Sequence, residues 1–445
     1  MNEIMSVDSA NLEKISQQIL QLANELGASQ AEVSMAINKG FQVSARQGEV
    51  ETVEYNQDKV IEISVYMGKR AGSASLSDFQ PASIHKAVEA ACHIAKFTDE
   101  DAAGGLADPG ELAFQYPSLK LAYPWKITVD QAIQLACQCE EVALSQDKRI
   151  IAAEGVTVAT MQVHHFYANS HHFFGSFPLT RHEISCVLIA KTGDDMQRDF
   201  SYTVAADPTN LIDFNQVAKE AAKRTTARLG ARILPTMKIP VVFAADEARS
   251  LLGHFAAAIQ GSHLYRKSSF LLNQLHQSIF PTFVHIQEQP HVEQGLGSAP
   301  FDDDGVLTRP NIFVKEGILH SYSLGTYAAR KLGMQTTGNA GGLHNLTIQS
   351  THDSLSALLK LMDTGLLITE LMGNGVNLLT GDYSRGASGF WVERGEIQYP
   401  VHEITIAGKL QNIYAGIRGI ANDVDTRGNI RTGSILVEEM TIAGQ

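Results

Sequence analysis

The sequence predicts an α+β protein: an N-terminal half of helices packed on antiparallel meanders, then a C-terminal half that is β-rich with few helices. Two features point there. A helix, a run of extended segments and a second helix follow one another twice before Leu234, an order that argues against a doubly wound parallel sheet. Beyond Leu234-Pro235 the chain turns Gly-rich, with GLGS, GNAGGLHN and MGNGV punctuating short apolar segments, as expected of strands joined by closely approaching loops. The break divides the chain into 1–235, with subregions at about 1–110 and 125–235, and 236–445.

Apolar residues at Leu12, Ile15, Ile19, Leu22 and Leu26 keep the helical period and stop at Gly27. Short strands are expected at 32–37, 42–45, 51–55, 60–66 and 71–76, with Gly and Asn turns between them, and a helix at 81–96. After a Gly-, Ala- and Pro-containing connection over 102–124 the order recurs, though no residue-level repeat accompanies it. A helix at 128–144 leads to a meander over 151–205, turning at Asn169-Ser170 and Gly193-Asp194-Asp195, and to a helix at 214–229. The second half opens with the apolar strand 239–245, then Asp246 as a helix N-cap and a helix to about Gln260. One further helix, 354–364, interrupts the strands. In the segment 381–408, Gly386-Ala-Ser-Gly389 reads as a turn feeding the strand Phe390-Trp391-Val392, and Arg394-Gly395 as a hairpin signal. Pro400 places the run 397–406 at an edge or strand end.

The chain has 445 residues, 44% of them hydrophobic, enough for a substantial core spread over two or three domains. Its formal charge of −13 argues against a nucleic-acid groove or an anionic membrane as the main partner. Residues 1–20 carry acids from position 3 and no continuous apolar core, so no secretory signal is read there, and no apolar run approaches the ~18 residues of a membrane span. A cytoplasmic location is expected. Cys92, Cys137, Cys139 and Cys186 form no C-x-x-C pattern and read as buried free thiols, with a redox or metal role for Cys137-Gln138-Cys139 as the alternative.

Sixteen histidines invite a metal hypothesis. The adjacent pairs His164-His165 and His171-His172 flank a hairpin tip, and neighbours on a strand point to opposite faces, so packing or exposure is the simpler reading. His254 and His263, nine residues apart, fall about half a turn out of phase on a straight helix, and Gly253 and Phe255 flank His254 where a zinc-water mechanism would want a glutamate. Phe301-Asp302-Asp303-Asp304-Gly305 resembles a fragment of a calcium loop without its alternating acids and closing Glu, and reads as a hairpin turn. Gly341-Gly342-Leu343-His344-Asn345 would let backbone approach a ligand with His344 and Asn345 as polar handles, or is turn chemistry alone. G-x-S-x-G, the phosphate loop and H-E-x-x-H are absent from the segment 381–408.

Several motifs read together carry more. The run 262–270 (SHLYRKSSF), Ser298-Ala-Pro-Phe-Asp302, Thr337-Gly-Asn-Ala-Gly-Gly342, Gly381-Asp-Tyr-Ser-Arg-Gly386, Arg46-Gln-Gly-Glu49 with the following Val50-Glu51-Thr52-Val53-Glu54, and the closing 439–445 (EMTIAGQ) resemble the TldD/PmbA metalloprotease family, nearly end to end. The family is also called the modulators of DNA gyrase, and the likeness is to its PmbA/TldE-type members. The resemblance implies a cytoplasmic heterodimer that degrades or processes unfolded peptides, in which a TldD-like subunit holds zinc through H-E-x-x-x-H and a later cysteine. Set under that motif, Gly253 stands at the first His, His254 at the Glu and Ala258 at the second His, and no cysteine follows Asp423.

A zinc site needs three protein ligands and an open position. The resemblance therefore implies a non-catalytic chain with no metal or cofactor of its own, zinc belonging to the TldD-like partner. This chain would complete a chamber gripping peptide mainly by backbone hydrogen bonds, with no membrane or nucleic-acid partner, and would form a homodimer where the partner is absent. His263, His344, Asn345, Tyr383, Arg385 and Glu403 are the residues expected to shape the chamber or meet the partner. Two other functions compete: a metallopeptidase acting alone through His254, His263 or His344, and a regulatory protein binding DNA gyrase.

Overall fold

Residues 9–444 are described by the computed structural model, and strands far longer than expected govern its first half. The leader reading falls partly on residues 1–8, and the closing motif ends at Gln445; these lie outside the described residues. After α1 (Ser9–Glu25) come β1 (Gln30–Arg46), β2 (Glu49–Met67) and β3 (Arg70–Leu76), then α2 (Pro81–Phe97). Three strands thus replace the five expected. Lys39-Gly40 and Asn56-Gln57 continue the strands, because Gly40 is a close-approach residue: a Cβ there would collide with the Thr160 carbonyl oxygen of the neighbouring strand. The real reversal is Gln47-Gly48, both at positive φ (59° and 76°) as a primed hairpin turn requires. The buried Glu140 carboxylate clamps that turn, accepting Gln47 N and Gly48 N at 2.8 Å each.

Glu140 belongs to α3 (Val129–Ser145), which starts at a capping box formed by Thr128 and Gln131. Then come β4 (Ile150–Asn169), β5 (Phe174–Thr192), β6 (Asp195–Ala205) and α4 (Phe214–Ala227). The two meanders join into one antiparallel sheet, β3-β2-β1-β4-β5-β6, by pairing β1 with β4 from Glu32↔Asn169 to Ala45↔Val156. One face is apolar: Val33, Met35, Ile61 and Ile63 pack under α1 and α2, and Val156, Val158, Ile184 and Leu188 under α3 and α4. Alternate residues on the other face, among them Glu32, Ser34, Tyr167 and Arg181, turn toward the second half of the chain.

That half begins with β7 (Met237–Phe243), α5 (Ala245–Ala258) and α6 (Gly261–Tyr265). It continues through β8 (Ile286–Glu288), β9 (Asn311–Lys315), β10 (Ile318–Leu319), α7 (Thr326–Leu332), β11 (Leu346–Ile348) and α8 (Leu355–Met362). Last come β12 (Gly365–Met372), β13 (Val376–Asn377), β14 (Asp382–Glu393), β15 (Glu396–Lys409), α9 (Leu410–Ala415), β16 (Ile417–Ile420), β17 (Ile430–Arg431) and β18 (Ile435–Ala443). A five-stranded sheet runs β10-β9-β8-β11-β17. In the other sheet the path β12-β7-β18-β15-β14 closes on itself through β12–β14 pairing, which removes the free edges of those strands.

Three local expectations change. Asp246 is not the N-cap: α5 is capped by Ala244 without a side-chain bond, while Asp246 lies in the first turn and pairs with Arg224 at 2.9 Å. Gly386 and Gly389 do not form a turn but lie inside β14, where a Cβ on Gly389 would collide with Leu367 O and bulges interrupt the register with both neighbours. The helices α6, α7 and α9 went unanticipated, being too short to show a helical period. Arg394-Gly395 is the β14–β15 hairpin turn, with φ 53° and 75°. Pro400 lies where β15 pairs with β14 and has left β18, which takes up β15 only from Thr405 to Ala407.

Candidate functional site

α5 leaves the end of β7 and buries Ala248, Leu251, Leu252, Phe255 and Ala258, so its opposite face presents Glu247, Ser250 and His254 toward β14. His254 sets its ring edge-on to Tyr383, centroids 5.9 Å apart, and Arg385 donates to Ser250 Oγ at 2.7 Å and to Gly373 O at 2.9 Å. The buried atoms His254 Nε2 and Tyr383 Oη have no hydrogen-bond partner. Burial, with the Arg385 charge adding, holds His254 down at about 4; burial pushes Tyr383 up to about 12. Burial beside the Asp246 charge lifts Glu247 to about 7.

Zinc does not fit here. Gly253 has no side chain, and Ala258 is fully buried against the core. Among the described residues no group of three or more His, Cys, Asp or Glu is placed to hold a metal ion.

Of the other residues singled out, His263 sits on α6 after the chain bends at Ile259-Gln260, its Nδ1 3.2 Å from Ser268 Oγ. His254, His263 and His344 belong to three separate places. Glu403 is exposed at φ 51° on β15, within the bulge where His402 and Glu403 face the single residue Ser388 of β14. Asn345 is fully buried as a clamp: its Nδ2 donates to Gln289 O (2.9 Å) and Ser298 Oγ (2.7 Å), and its Oδ1 accepts Gly297 N (3.2 Å). Phe301 to Gly305 is a tight turn, in which Asp302 Oδ1 accepts Asp304 N and Val306 N. Cys92, Cys139 and Cys186 are buried free thiols and Cys137 is half-buried.

His344 lines a cleft of about 390 Å³ between the outer face of the six-stranded sheet and the Gly-rich loops. His165, Arg181, Asp303, Gly341 and Gly342 share its wall, and the 425–431 segment connects it to α5, since Gly428 and Asn429 border the cleft while Ile430 lies over Gly253. Burial holds His344 down at about 4, and its Nε2 lacks a partner while Nδ1 lies 3.2 Å from Gly297 O. Asp303, enclosed by the cleft walls though open to solvent, is lifted to about 6 by lost hydration and the Asp304 charge.

Sequence reasoning missed what holds this loop. Glu288, 1% exposed, accepts Asn339 Nδ2 (2.8 and 3.0 Å), Asn311 Nδ2 (2.7 Å) and His344 N (2.5 Å), fixing the backbone from Asn339 to His344. It also missed Arg181, which the alternation Phe177, Leu179, Arg181 puts on the cleft face. The two halves are further tied by ions. Arg224 and Arg228, both held on Asp199 (3.3 and 3.2 Å), reach across to Asp246 (2.9 Å) and Glu370, and Arg249 and Arg427, gathered on Asp425 in the second half, each donate across to Tyr202 (3.3 Å).

Known proteins share this fold. Family models for the PmbA/TldA metallopeptidase domain 1, central domain and C-terminal domain match residues 31–95, 122–229 and 236–444. The chain is 46% identical over 435 residues to Metalloprotease PmbA of Escherichia coli O157:H7, covering 97% of each. It is 24% identical over 393 residues to a Metalloprotease TldD homolog of Haemophilus influenzae, covering 81% of this chain and 79% of the relative. Among solved structures, a protein of Bacteroides thetaiotaomicron described as a modulator of DNA gyrase superposes with a TM-score of 0.91 at 24% identity, covering 97% of this chain and 99% of that one. TldE of Thermococcus kodakarensis gives 0.85 at 19%, covering 97% and 100%. At those identities the two structures speak to the fold.

Proposed function

The chain belongs to the PmbA/TldA metallopeptidase family, and from that membership we propose that it is the non-catalytic, TldE-type subunit of a cytoplasmic zinc peptidase acting on unfolded peptides, completed by a TldD-like partner. The observation that carries this reading is the state of α5, where Gly253 and Ala258 offer no donor at the positions the resemblance assigns to ligating histidines. Zinc supplied by the partner would activate water or polarise a peptide carbonyl. The residues of this chain bind and orient. Gly341 and Gly342 admit a peptide backbone close to the loop, Glu288 holds that loop rigid, and the cleft walls restrict entry to unfolded chains.

Division at about residue 235 belongs to the same reading: 1–235 supplies the sheet floor and 236–445 the loops. Alone, the chain is expected to self-associate. The competing lone metallopeptidase would need a donor set that His254, His263 and His344, dispersed over three sites, do not form.

Purifying the chain with and without a TldD-like relative tests the proposal. Elemental analysis should find no stoichiometric zinc in the chain alone, and cleavage of an unstructured peptide should begin only with the pair. Peptidase activity of the isolated chain that is lost on His254→Ala overturns it.

A further inference from the structure

Next to the cleft, and linked to it through Tyr167 and the 302–304 turn, lies a second cavity of about 340 Å³ whose chemistry is one-sided. Its wall carries Glu32, Asp99, Asp101 and Asp304 against a single base, Lys69, whose Nζ is held on Gly104 O at 2.9 Å. Asp101 is matched by Lys331 (2.8 Å) and Tyr327 Oη (2.7 Å), and the nearby Arg330 is committed to Gly105 O, Leu106 O and Asp108. Glu32 and Asp304 form no ion pair among the described residues. Glu32 accepts the hydroxyls of Tyr66 (3.1 Å) and Tyr167 (2.6 Å), with Ser64 adding a weaker contact, and Asp304 accepts Thr326 N (2.7 Å); none of these partners carries a charge. Burial, with Asp304 adding, lifts the Glu32 carboxyl above its usual range against the pull of both tyrosines.

The independent observation is Thr326. It is 5% exposed, lines the same cavity, and its Oγ1 has no partner at all. A buried hydroxyl left without a partner is costly, so the cavity holds an acceptor awaiting a donor.

We propose that this cavity binds the primary ammonium of a peptide, the Glu32 carboxylate, Asp304 and Thr326 Oγ1 supplying one acceptor for each of its three N–H donors. Geometry disfavours the alternatives. A guanidinium wants a free bidentate carboxylate, and both Glu32 oxygens already accept tyrosine hydroxyls; no set of three or more metal-ligating side chains is present among the described residues. The proposal rests on the peptide-handling reading above and adds a preference to it: a chain threading the cleft is anchored by a lysine side chain or by its own N-terminus.

Calorimetric titration of the purified chain with three otherwise identical hexapeptides tests this. One is acetylated with a central lysine, one has a free N-terminus and norleucine at the centre, and one is acetylated with norleucine. At least one ammonium peptide should bind about tenfold or more tighter than the neutral one, and the arm that does so identifies the source. Asp304→Asn and Thr326→Val should each erase the preference; Thr326→Val is nearly isosteric, so it decides the matter if Asp304→Asn fails to fold. Equal affinity of all three peptides, binding of none, or a preference surviving in correctly folded variants overturns the proposal. The proposed function would still stand if the pair with a TldD-like subunit cleaved the neutral peptide.

Discussion

Glu288 and Glu247 are both carboxylates drawn out of water in the second half, yet their surroundings differ. Around Glu288 the N–H groups of Asn311 on β9 and of Asn339 and His344 on the loop converge, fixing the backbone from Asn339 to His344. Around Glu247, on the open face of α5, the neighbouring polar atoms are unmatched: His254 Nε2 and Tyr383 Oη are buried with nothing to bond. The first region spends its polar groups on shape. The second retains polar groups that contribute nothing to stability in the isolated chain, which is where removing them should cost least.

The sharpest break in that comparison is Glu288→Ala, which strands several buried donors at once. It should lower unfolding free energy by about 3–4 kcal/mol, read as a shifted urea midpoint at constant m-value, whereas a loss under about 1 kcal/mol would make the clamp incidental.

Acid titration of stability comes next. His254, held near 4 when folded, binds its proton only on unfolding across pH 4 to 6.5, so stability rises with pH in that window. Glu247, lifted to about 7, is protonated in the folded state across pH 4.5 to 7, so stability falls as pH rises there. His254→Leu and Glu247→Gln should therefore change the slope of stability against pH in opposite directions, each by at most about 1.4 kcal/mol per pH unit. Parallel changes from the two variants would contradict the assignment.

Tyr383→Phe removes an unpaired hydroxyl and should leave stability unchanged or raise it by up to about 1 kcal/mol; a loss above that would reveal a hidden partner for Oη. The smallest effect is expected at Glu403, whose φ of 51° suits glycine: Glu403→Gly should gain about 0.5 kcal/mol, measured by thermal melting, and a loss would point to work done by the carboxylate.

Much of the architecture was legible because it is local. The helix expected at 128–144 is α3, and Arg394-Gly395 declares its hairpin, since helical periods and primed turns depend on residues close together in the chain. Glycine misled where its cause was remote. Gly40 and Gly389 look like turn residues along the chain, but neighbouring backbone from Thr160 and Leu367 is what forbids a side chain there. The candidate site was legible in the same uneven way. His254, Tyr383 and Arg385, picked from separate stretches, come together, and His344 faces the cleft. Glu32, Asp304 and Thr326 meet only because β1 passes beneath the 302–304 turn and α7, a proximity no spacing encodes.

The seam between β1 and β4 has a kinetic consequence. Each meander closes through hairpins whose partners are near in the chain, while the seam joins Glu32 to Asn169 and Ala45 to Val156. Loop closure over such separations is slow to begin and yields little until several pairs have formed. The two meanders are therefore expected to reach the seam as preformed sheets, with the zipping of β1 to β4 as the late event in building the floor of the cleft. Gly40, where the strands approach too closely for any side chain, lies midway along that zipper. Gly40→Ala would slow refolding by opposing this last step while leaving the earlier hairpins to form at their usual rate.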